Sequence, residues 1–395
     1  MRYQSYFNTA LFIIHQYKGE MPLAHFLKQY FVQHKKYGSR DRKMIAHACY
    51  TYFRLGKAMC HVAIETRLKA ALYLLLDEPG EWNVIFDSLW GLDWPENRQE
   101  RWHLLQQKFI ELNEADIFPF QDEVSAKLDV TAFIDSFFIQ PNVFMRIRPG
   151  AEQKIIDQFN SAGIAYEQLG PQTIAVTAGT KIAHLLQNNT VLIVQDYSSQ
   201  RVGEFMHLIQ CNNLPIAVWD CCAASGGKSI LAKDVLGNIQ LTVSDVRKNI
   251  LHNLERRFLA AKILNYKAIV ADISKPLPPR LAALYFDVII ADVPCTGSGT
   301  WSRTPEQLYF FLTQQIENYS RLQQAIVQQA IPQLKPGGYF LYITCSVFKQ
   351  ENEQMVANIV ANKGLQLLKQ ELLTGYNQKA DTMFAALFQK PVAVK

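Results

Sequence analysis

Two cysteines in the second half of the chain stand where chemistry can be done. In ADVPCTGSGTW, residues 291–301, Cys295 follows Asp292 by three positions; in YITCSVFKQENEQ, residues 342–354, Cys345 closes an apolar run. If the apolar runs that precede them are neighbouring strands, both thiols and the Asp292 carboxylate face one pocket. A buried cysteine is ordinarily an inert small hydrophobe, but these two lie where strands meet loops. A thiol and an acid together suit methylation of a pyrimidine carbon. Carbon 5 of cytosine is too weak a nucleophile to take a methyl group directly. A thiolate adding to carbon 6 turns the ring into an enamine, and an acid at ring nitrogen 3 receives the developing charge. A base then removes the carbon-5 proton and the thiol departs.

A second stretch, VWDCCAASGGKSILA (residues 218–232), raises the matter of a cofactor. Asp220, Asp245, Asp272 and Asp292 each close an apolar run, and in an open parallel sheet ligands bind beyond the carboxyl ends of the strands. One acid after a strand is commonly a helix N-cap; four in succession point to a site. Gathered at one edge they repel unless donors or a cation separate them. A ligand carrying ribose hydroxyls, an exocyclic amine and a positive centre suits such an edge. GGKS looks like the end of a phosphate-binding loop, but the glycine required five residues before Gly227 is Cys222, and G-x-G-x-x-G is absent. Both phosphate-cradle readings fail. Gly226 and Gly227 still let backbone approach a ligand closely.

The elements that must hold these residues are legible from periodicity. Residues 1 to about 125 are predicted helical, with LAHFLKQYFVQH and RKMIAHACYTYFRLGKAM carrying apolar residues at three- and four-residue spacing and YGS between them. DEPGEW and LDWPEN mark further turns. NVFMRIRP, GAEQKIIDQFNSAG, IAYEQLG and QTIAVTAG predict a small β-α-β-β unit bounded by Pro149, Gly170 and Pro171. From about residue 190, PIAVWD, IQLTVSD, YKAIVAD, FDVIIADVP and YFLYITCS alternate with helical stretches, the pattern of a mainly parallel sheet between helix layers. TPEQLYFF predicts a helix capped by Thr304 with Pro305 at its first turn. LQQAIVQQAIPQLKPGG predicts an amphipathic helix through Leu322, Ile326, Ala330 and Leu334, closed by Gly337 and Gly338.

These motifs resemble the Sun/Fmu-type RNA cytosine-C5 methyltransferases, which depend on S-adenosylmethionine. DCCAASGGKS is similar to the family's D-x-C-A-A-P-G-G-K-T, DVPCTGSGTWSRTPE to D-A-P-C-S-G-x-G-x-x-R-R-x-P-E, and TCSVFKQENEQMV to T-C-S-x-x-x-x-E-N-E. VQDYSSQ matches the lead-in segment and DTMFAALFQK the last strand. The resemblance spans about 140 to 390. It implies an α/β fold: a Rossmann-like class I methyltransferase sheet, residues 189–395, preceded by an RRM-like α+β subdomain, residues 131–188, and an all-α NusB-like domain, residues 1–130. The last of these rests on YGSRDRKMIAHACYTYFRLGK.

The resemblance also implies roles. Cys345 would be the nucleophile, Cys295 would assist release of the methylated base, and Asp292 and Lys228 would contact the cytosine. Cys222, Ala223, Ala224, Ser225, Gly226, Gly227 and Lys228 would bind the methionine end of the cofactor, Asp245 its ribose hydroxyls and Asp272 its adenine amine, with Asp292 near it as well. The residues alone do not choose between the thiols, since DNA cytosine methyltransferases use the Pro-Cys thiol. Ser225 stands for the family's proline, Val293 and Thr296 are mild changes, Ser302 replaces a usual arginine, and Thr382 a terminal glycine. Lys35, Lys36, Arg40, Arg42 and Lys43 suit either RNA phosphates or a solvated helix edge, and Arg146 and Arg148 in FMRIRP are candidate RNA contacts.

Composition narrows the setting. Among 395 residues, 49% are hydrophobic, enough for a sizeable core, and no apolar run approaches the roughly 18 residues of a membrane span. The N-terminus has no small-residue cleavage site, so a cytoplasmic protein without membrane association is expected. The seven cysteines are an odd number at spacings that suit neither a disulfide framework nor zinc, and no metal is expected. A net charge of +5 is compatible with a nucleic-acid partner without requiring one. The expected partner is RNA, ribosomal first and transfer RNA second, met by a monomer. The contrasting expectation is a non-catalytic RNA-binding factor in ribosome assembly.

Overall fold

In the computed structural model, residues 2–86, 90, 93–109, 112–187, 190–211 and 214–392 are described. Helices α1 (Arg2–Gln16), α2 (Leu23–Gln33), α3 (Ser39–Phe53), α4 (Ile64–Leu75) and α5 (Arg98–Lys108) bear out the helical reading of the first part of the chain. Their apolar stripes meet in one core; in α1 it is Tyr6, Phe7, Ala10, Ile13 and Ile14, the three- and four-residue spacing of one helix face. Helix α3 stops at Phe53, short of the predicted end. The Lys57 N–H bonds the carbonyl of Ile117 (3.1 Å) instead of continuing the ladder, a partner no local pattern could disclose. The turn predicted at LDWPEN begins at Leu92, outside the described residues.

This helical unit comprises Met1–Asp122, Val130–Ile139 with α6 (Val130–Phe137), and Trp301–Leu312. The last segment comes from far along the sequence. Buried Arg54 donates to the carbonyls of Phe137 and Ser302, and Arg67 lies between the rings of Tyr52 and Tyr309, 4.3 and 4.8 Å from their centroids. Two arginines of the helical region thus grip this segment by carbonyls and ring faces.

The second unit comprises Glu123–Asp129, Gln140–Thr300 and Thr313–Lys395. Its first part runs β1 (Val143–Ile147), α7 (Glu152–Ser161), β2 (Glu167–Gly170), β3 (Thr173–Val176), α8 (Ala183–Gln187) and β4 (Leu192–Val194). The strands lie in the order β2-β3-β1-β4, all antiparallel, a β-α-β-β-α-β unit. The expected boundary at 188/189 falls outside the described residues, and β4 lies beyond it.

Short helices α9 (Tyr197–Arg201) and α10 (Gly203–Met206) lead to the larger sheet. It consists of β5 (Ile216–Asp220), β6 (Ile239–Asp245), β7 (Tyr266–Val270), β8 (Phe286–Asp292), β9 (Leu334–Thr344), β10 (Gln366–Leu373) and β11 (Met383–Gln389), ordered β10-β11-β9-β8-β5-β6-β7. Strands β5 to β9 pair in parallel, while β11 is antiparallel to both β9 and β10. This is the doubly wound, Rossmann-like methyltransferase sheet expected from the sequence, with its switch between β5 and β8. The intervening helices are α11 (Gly227–Leu236), α12 (Lys248–Ala260), α13 (Pro279–Ala282), α14 (Pro305–Phe310), α15 (Gln314–Ala330) and α16 (Glu353–Lys363). Pro305 opens α14 as predicted. The predicted helix through Leu334 is corrected: α15 ends at Ala330, because Pro332 lacks an N–H and disfavours helix before it. Leu334 starts β9, and Gly337 and Gly338 lie in that strand, where its register with β8 shifts. Among the described residues no helix is long and apolar enough to cross a membrane.

Candidate active site

Parallel pairing of β8 with β9 sets Asp292 opposite Ile343, so the loops that follow leave from one sheet end. Cys295 and Cys345 belong to those two loops, and their sulfurs are 3.2 Å apart. The Cys295 Sγ also accepts the Cys345 N–H at 3.3 Å. This contact with Cys345, together with burial, pushes the Cys295 thiol well above its ordinary pKa. Gly299 ties the arrangement from behind: its N–H donates to the Cys345 carbonyl (2.9 Å) and its carbonyl accepts from Thr382 N–H (2.9 Å). A Cβ on Gly299 would fall 1.9 Å from the Thr382 carbonyl oxygen, so only glycine fits.

The ends of β5 and α11 bring in Lys228. Its Nζ lies 3.0 Å from Asp292 Oδ2 and donates to Ser199 Oγ at 2.7 Å. Lys228 is nearly buried, and Asp292 is about one-third exposed. The pair therefore has one partner in the protein and one side open to a ligand.

Next to it, Cys222–Lys228 turns from β5 into α11. Ala224 (φ +46°) and Gly226 (φ +83°) take left-handed conformations. At Gly226 a Cβ would meet Phe258 at 2.5 Å, so this glycine is required by packing against α12; the predicted ligand approach is left to Gly227, whose Cβ would make only an ordinary contact with Arg257 Nη1 at 4.0 Å. Ser225 is held by Arg257 Nη1, which donates to its Oγ at 2.6 Å. The turn is thus fastened by a side chain where the family sequence has the ring of proline.

The four acids do not share one fate. Asp245, 6% exposed, accepts the backbone N–H groups of Ala224 (3.1 Å) and Arg247 (2.9 Å), tying the end of β6 to the loop. Asp272 lies two residues past the end of β7 and is partly exposed, with Ser274 Oγ at 2.6 Å and Lys275 Nζ at 3.2 Å. Asp220 corrects the expectation of four acids at an open edge. It is fully buried, takes Ser229 Oγ on Oδ2 at 2.6 Å, and its other oxygen has no partner among the described residues. Burial pushes its carboxyl up to about 7. Asp220 buttresses α11 from beneath.

The remaining carboxylates and the loop fit an adenosyl-amino-acid ligand. Asp245 and Asp272 stand as acceptors at adjacent strand ends, and the first turn of α11 provides donors for a carboxylate. Among the described residues no cluster of metal-ligating side chains exists.

Comparison with known proteins bears on the family and the fold. The family model for 16S rRNA methyltransferase RsmB/F matches residues 212–388. That segment, a little under half of the chain, is similar to the RsmB/F family, of the Sun/Fmu type. Ribosomal RNA small subunit methyltransferase B of Proteus mirabilis is 30% identical over 182 residues, 45% of this chain and 42% of that protein. The chain thus matches less than half the length of this curated relative. The crystal structure of PH0851 superposes with a TM-score of 0.69 at 19% identity, covering 93% of this chain and 94% of that one. The structure of NSun6 from Pyrococcus horikoshii gives 0.58 at 15% identity, covering 70% and 96%. These two likenesses show the shared fold.

The sequence reading also misplaced or missed several residues. Arg146 and Arg148 are not free to meet RNA. Both bond the carboxylate of Asp234 in α11 (Arg146 Nη1 at 2.7 Å, Arg148 Nε at 2.9 Å and Nη2 at 2.7 Å), and Arg146 also reaches Gln195. They fasten the small sheet to the larger one. Ser302 is buried in the helical unit, its carbonyl taken by Arg54. Thr296, read as a mild change, is a hub of buried hydrogen bonds with Ser346 and Glu351. Ser199 and Glu351 went unassigned, although both stand inside quoted motifs, VQDYSSQ and ENE.

Proposed function

We propose that this protein transfers the methyl group of S-adenosylmethionine to carbon 5 of a cytosine in RNA. Ribosomal RNA is the favoured substrate, because the matching family is described by that activity. The single observation that carries the reading is the meeting of Cys295 and Cys345 at 3.2 Å, on loops that leave the sheet end where Asp292 holds Lys228 at 3.0 Å. Amine or hydroxyl methylation has no use for two thiols.

The roles follow from position. S-adenosylmethionine, when bound, supplies an electrophilic methyl group. Its ribose hydroxyls would meet Asp245, its adenine amine Asp272, and its methionine end the loop Cys222–Lys228. The NSun6 structure was solved with SFG, an analogue of this cofactor, which supports the assignment. Cys345, as thiolate, forms a bond to carbon 6, and the displaced electron density moves toward ring nitrogen 3, where Asp292 meets it with Lys228 alongside. Carbon 5 takes the methyl group, a base takes its proton, and the carbon–sulfur bond breaks. Cys295, with its sulfur against that of Cys345, stands where it can assist this release. The target base must leave its stack to enter, which favours single-stranded or splayed RNA. Lys35, Lys36, Arg40, Arg42 and Lys43 are all exposed on the helical unit and suit phosphate contacts there.

Bisulfite sequencing of total RNA from cells with and without the protein tests the proposal. One ribosomal cytosine should lose its protection when the protein is absent. A transfer-RNA site changing instead would move the substrate, and cofactor binding with no altered cytosine in any RNA would leave the assembly-factor reading standing.

A further inference from the structure

We propose that Glu351 is the positioning residue that sets the spacing of Cys295 and Cys345, an inference that rests on the methyl-transfer reading above. Glu351 is completely buried, yet it touches both thiol-bearing loops at the residue after each cysteine. Its Oε1 accepts from the Thr296 N–H (3.0 Å) and from Gln323 Nε2 on α15 (2.8 Å). Its Oε2 accepts from the Thr296 hydroxyl (2.6 Å) and the Ser346 hydroxyl. One carboxylate thus takes four neutral donors, from the loop after β8, the loop after β9 and a helix.

The residue beside it completes the grip. Asn352 Oδ1 accepts from Thr344 Oγ1 at 2.7 Å, and its Nδ2 donates to the Ser346 carbonyl at 2.9 Å. The residues before and after Cys345 are therefore held by one adjacent pair, Glu351 and Asn352. Tyr342 donates to the Glu351 carbonyl at 2.8 Å, fixing that pair to β9 itself. A buried carboxylate costs stability unless its oxygens are satisfied, and here three of the four donors, the Thr296 N–H and hydroxyl and the Ser346 hydroxyl, belong to the residues that follow the two thiols. Helix packing or a turn needs no such convergence; holding two loops in one register does.

The test compares wild type with Glu351→Gln, Glu351→Ala and Ser346→Ala. Diamide, which takes up two thiol hydrogens as a disulfide forms, reports the sulfur spacing in the absence of RNA, with the Cys295–Cys345 peptide counted by mass spectrometry. Methyl transfer gives kcat and KM. A glutamine can keep all four contacts, its oxygen facing the Thr296 and Gln323 donors and its amide facing two hydroxyls free to rotate. Glu351→Gln should therefore bridge at the wild-type rate and retain kcat within about fivefold. Glu351→Ala should bridge at least about tenfold more slowly and lose about 100-fold in kcat, with KM for the cofactor within about twofold. Should Glu351→Ala fail to fold, Ser346→Ala, which removes one donor, should lower both readouts in the same sense. Wild-type bridging and kcat in the alanine variants, or a glutamine variant as impaired as alanine, would overturn the proposal. If wild type methylates no RNA, the bridging rates still decide the positioning role, so the two failures are told apart.

Discussion

The sulfur of Cys295 stands 3.2 Å from that of Cys345, and the same sulfur accepts the Cys345 backbone N–H. A disulfide would bring the two to about 2.0 Å, so they meet as free thiols. Fifty residues of sequence separate them. They come together because β8 and β9 are parallel neighbours whose following loops are held in one register by Gly299 and Glu351. Both thiols are half-buried, and the contact with Cys345 raises the Cys295 thiol above its ordinary pKa.

The proposed roles assign different consequences to two substitutions. Cys345→Ala should abolish methyl transfer while leaving cofactor binding intact, because the bond to carbon 6 cannot form. Cys295→Ala should trap a covalent protein–RNA species, visible as a slower band on a denaturing gel. Trapping by Cys345→Ala instead would reverse the two roles.

Asp245→Ala removes an acceptor proposed for the ribose and releases the Ala224 N–H it holds. Cofactor affinity should fall by about tenfold or more, roughly 1.4 kcal/mol, with RNA affinity unchanged. Titration calorimetry with S-adenosylmethionine, alongside RNA filter binding, measures both; an RNA defect with normal cofactor binding would refute the ribose role.

Asp234 bears no part in the chemistry, yet its loss should be severe. Asp234→Ala leaves Arg146 and Arg148 without their shared carboxylate, and Arg146 is almost fully buried. Breaking such a buried pair on one side costs about 3–5 kcal/mol. Thermal unfolding followed by circular dichroism should show the loss. A variant as stable as wild type would mean the arginines find other partners.

Asp220 predicts a pH effect on stability whose sign is opposite to that of a salt-bridged carboxylate. In the unfolded chain the group ionises near 3.8, whereas in the fold burial delays ionisation to about 7. Between those values the unfolded state has released a proton that the folded state retains, so stability falls as pH rises through this window and levels off above it. Asp220→Asn should flatten that decline in melting temperature between pH 4 and 7. An identical slope in the variant would show that Asp220 does not carry it.

Much of the larger sheet could be read directly from the chain. Its central parallel strands β5 and β8 are buried on both faces, so the runs IAVWD and FDVIIAD are apolar almost throughout and stand out against the helices between them. The reading failed where an irregular residue competed with periodicity: Pro332 ended α15 and turned the expected helical residue Leu334 into the first residue of β9. It failed again at the boundary of the small sheet, since β4, Leu192–Val194, is only three residues long and gains its identity from pairing with β1.

The amino-acid order alone determined which groups can react: two strand-end thiols, a lysine after a double glycine, and acids spaced along successive strands. Residue type and near-neighbour spacing are local properties, and strand-turn-helix patterns follow from them. Tertiary structure alone decided which of those groups meet water or a ligand and which become scaffolding. Asp220 and Asp292 end neighbouring strands in the same way, yet one is sealed beneath α11 and the other stays open beside Lys228. Arg146 and Arg148 carry the charge RNA would seek, but Asp234 claims both. Solvent access and the choice of hydrogen-bond partner are fixed by segments far apart in the chain.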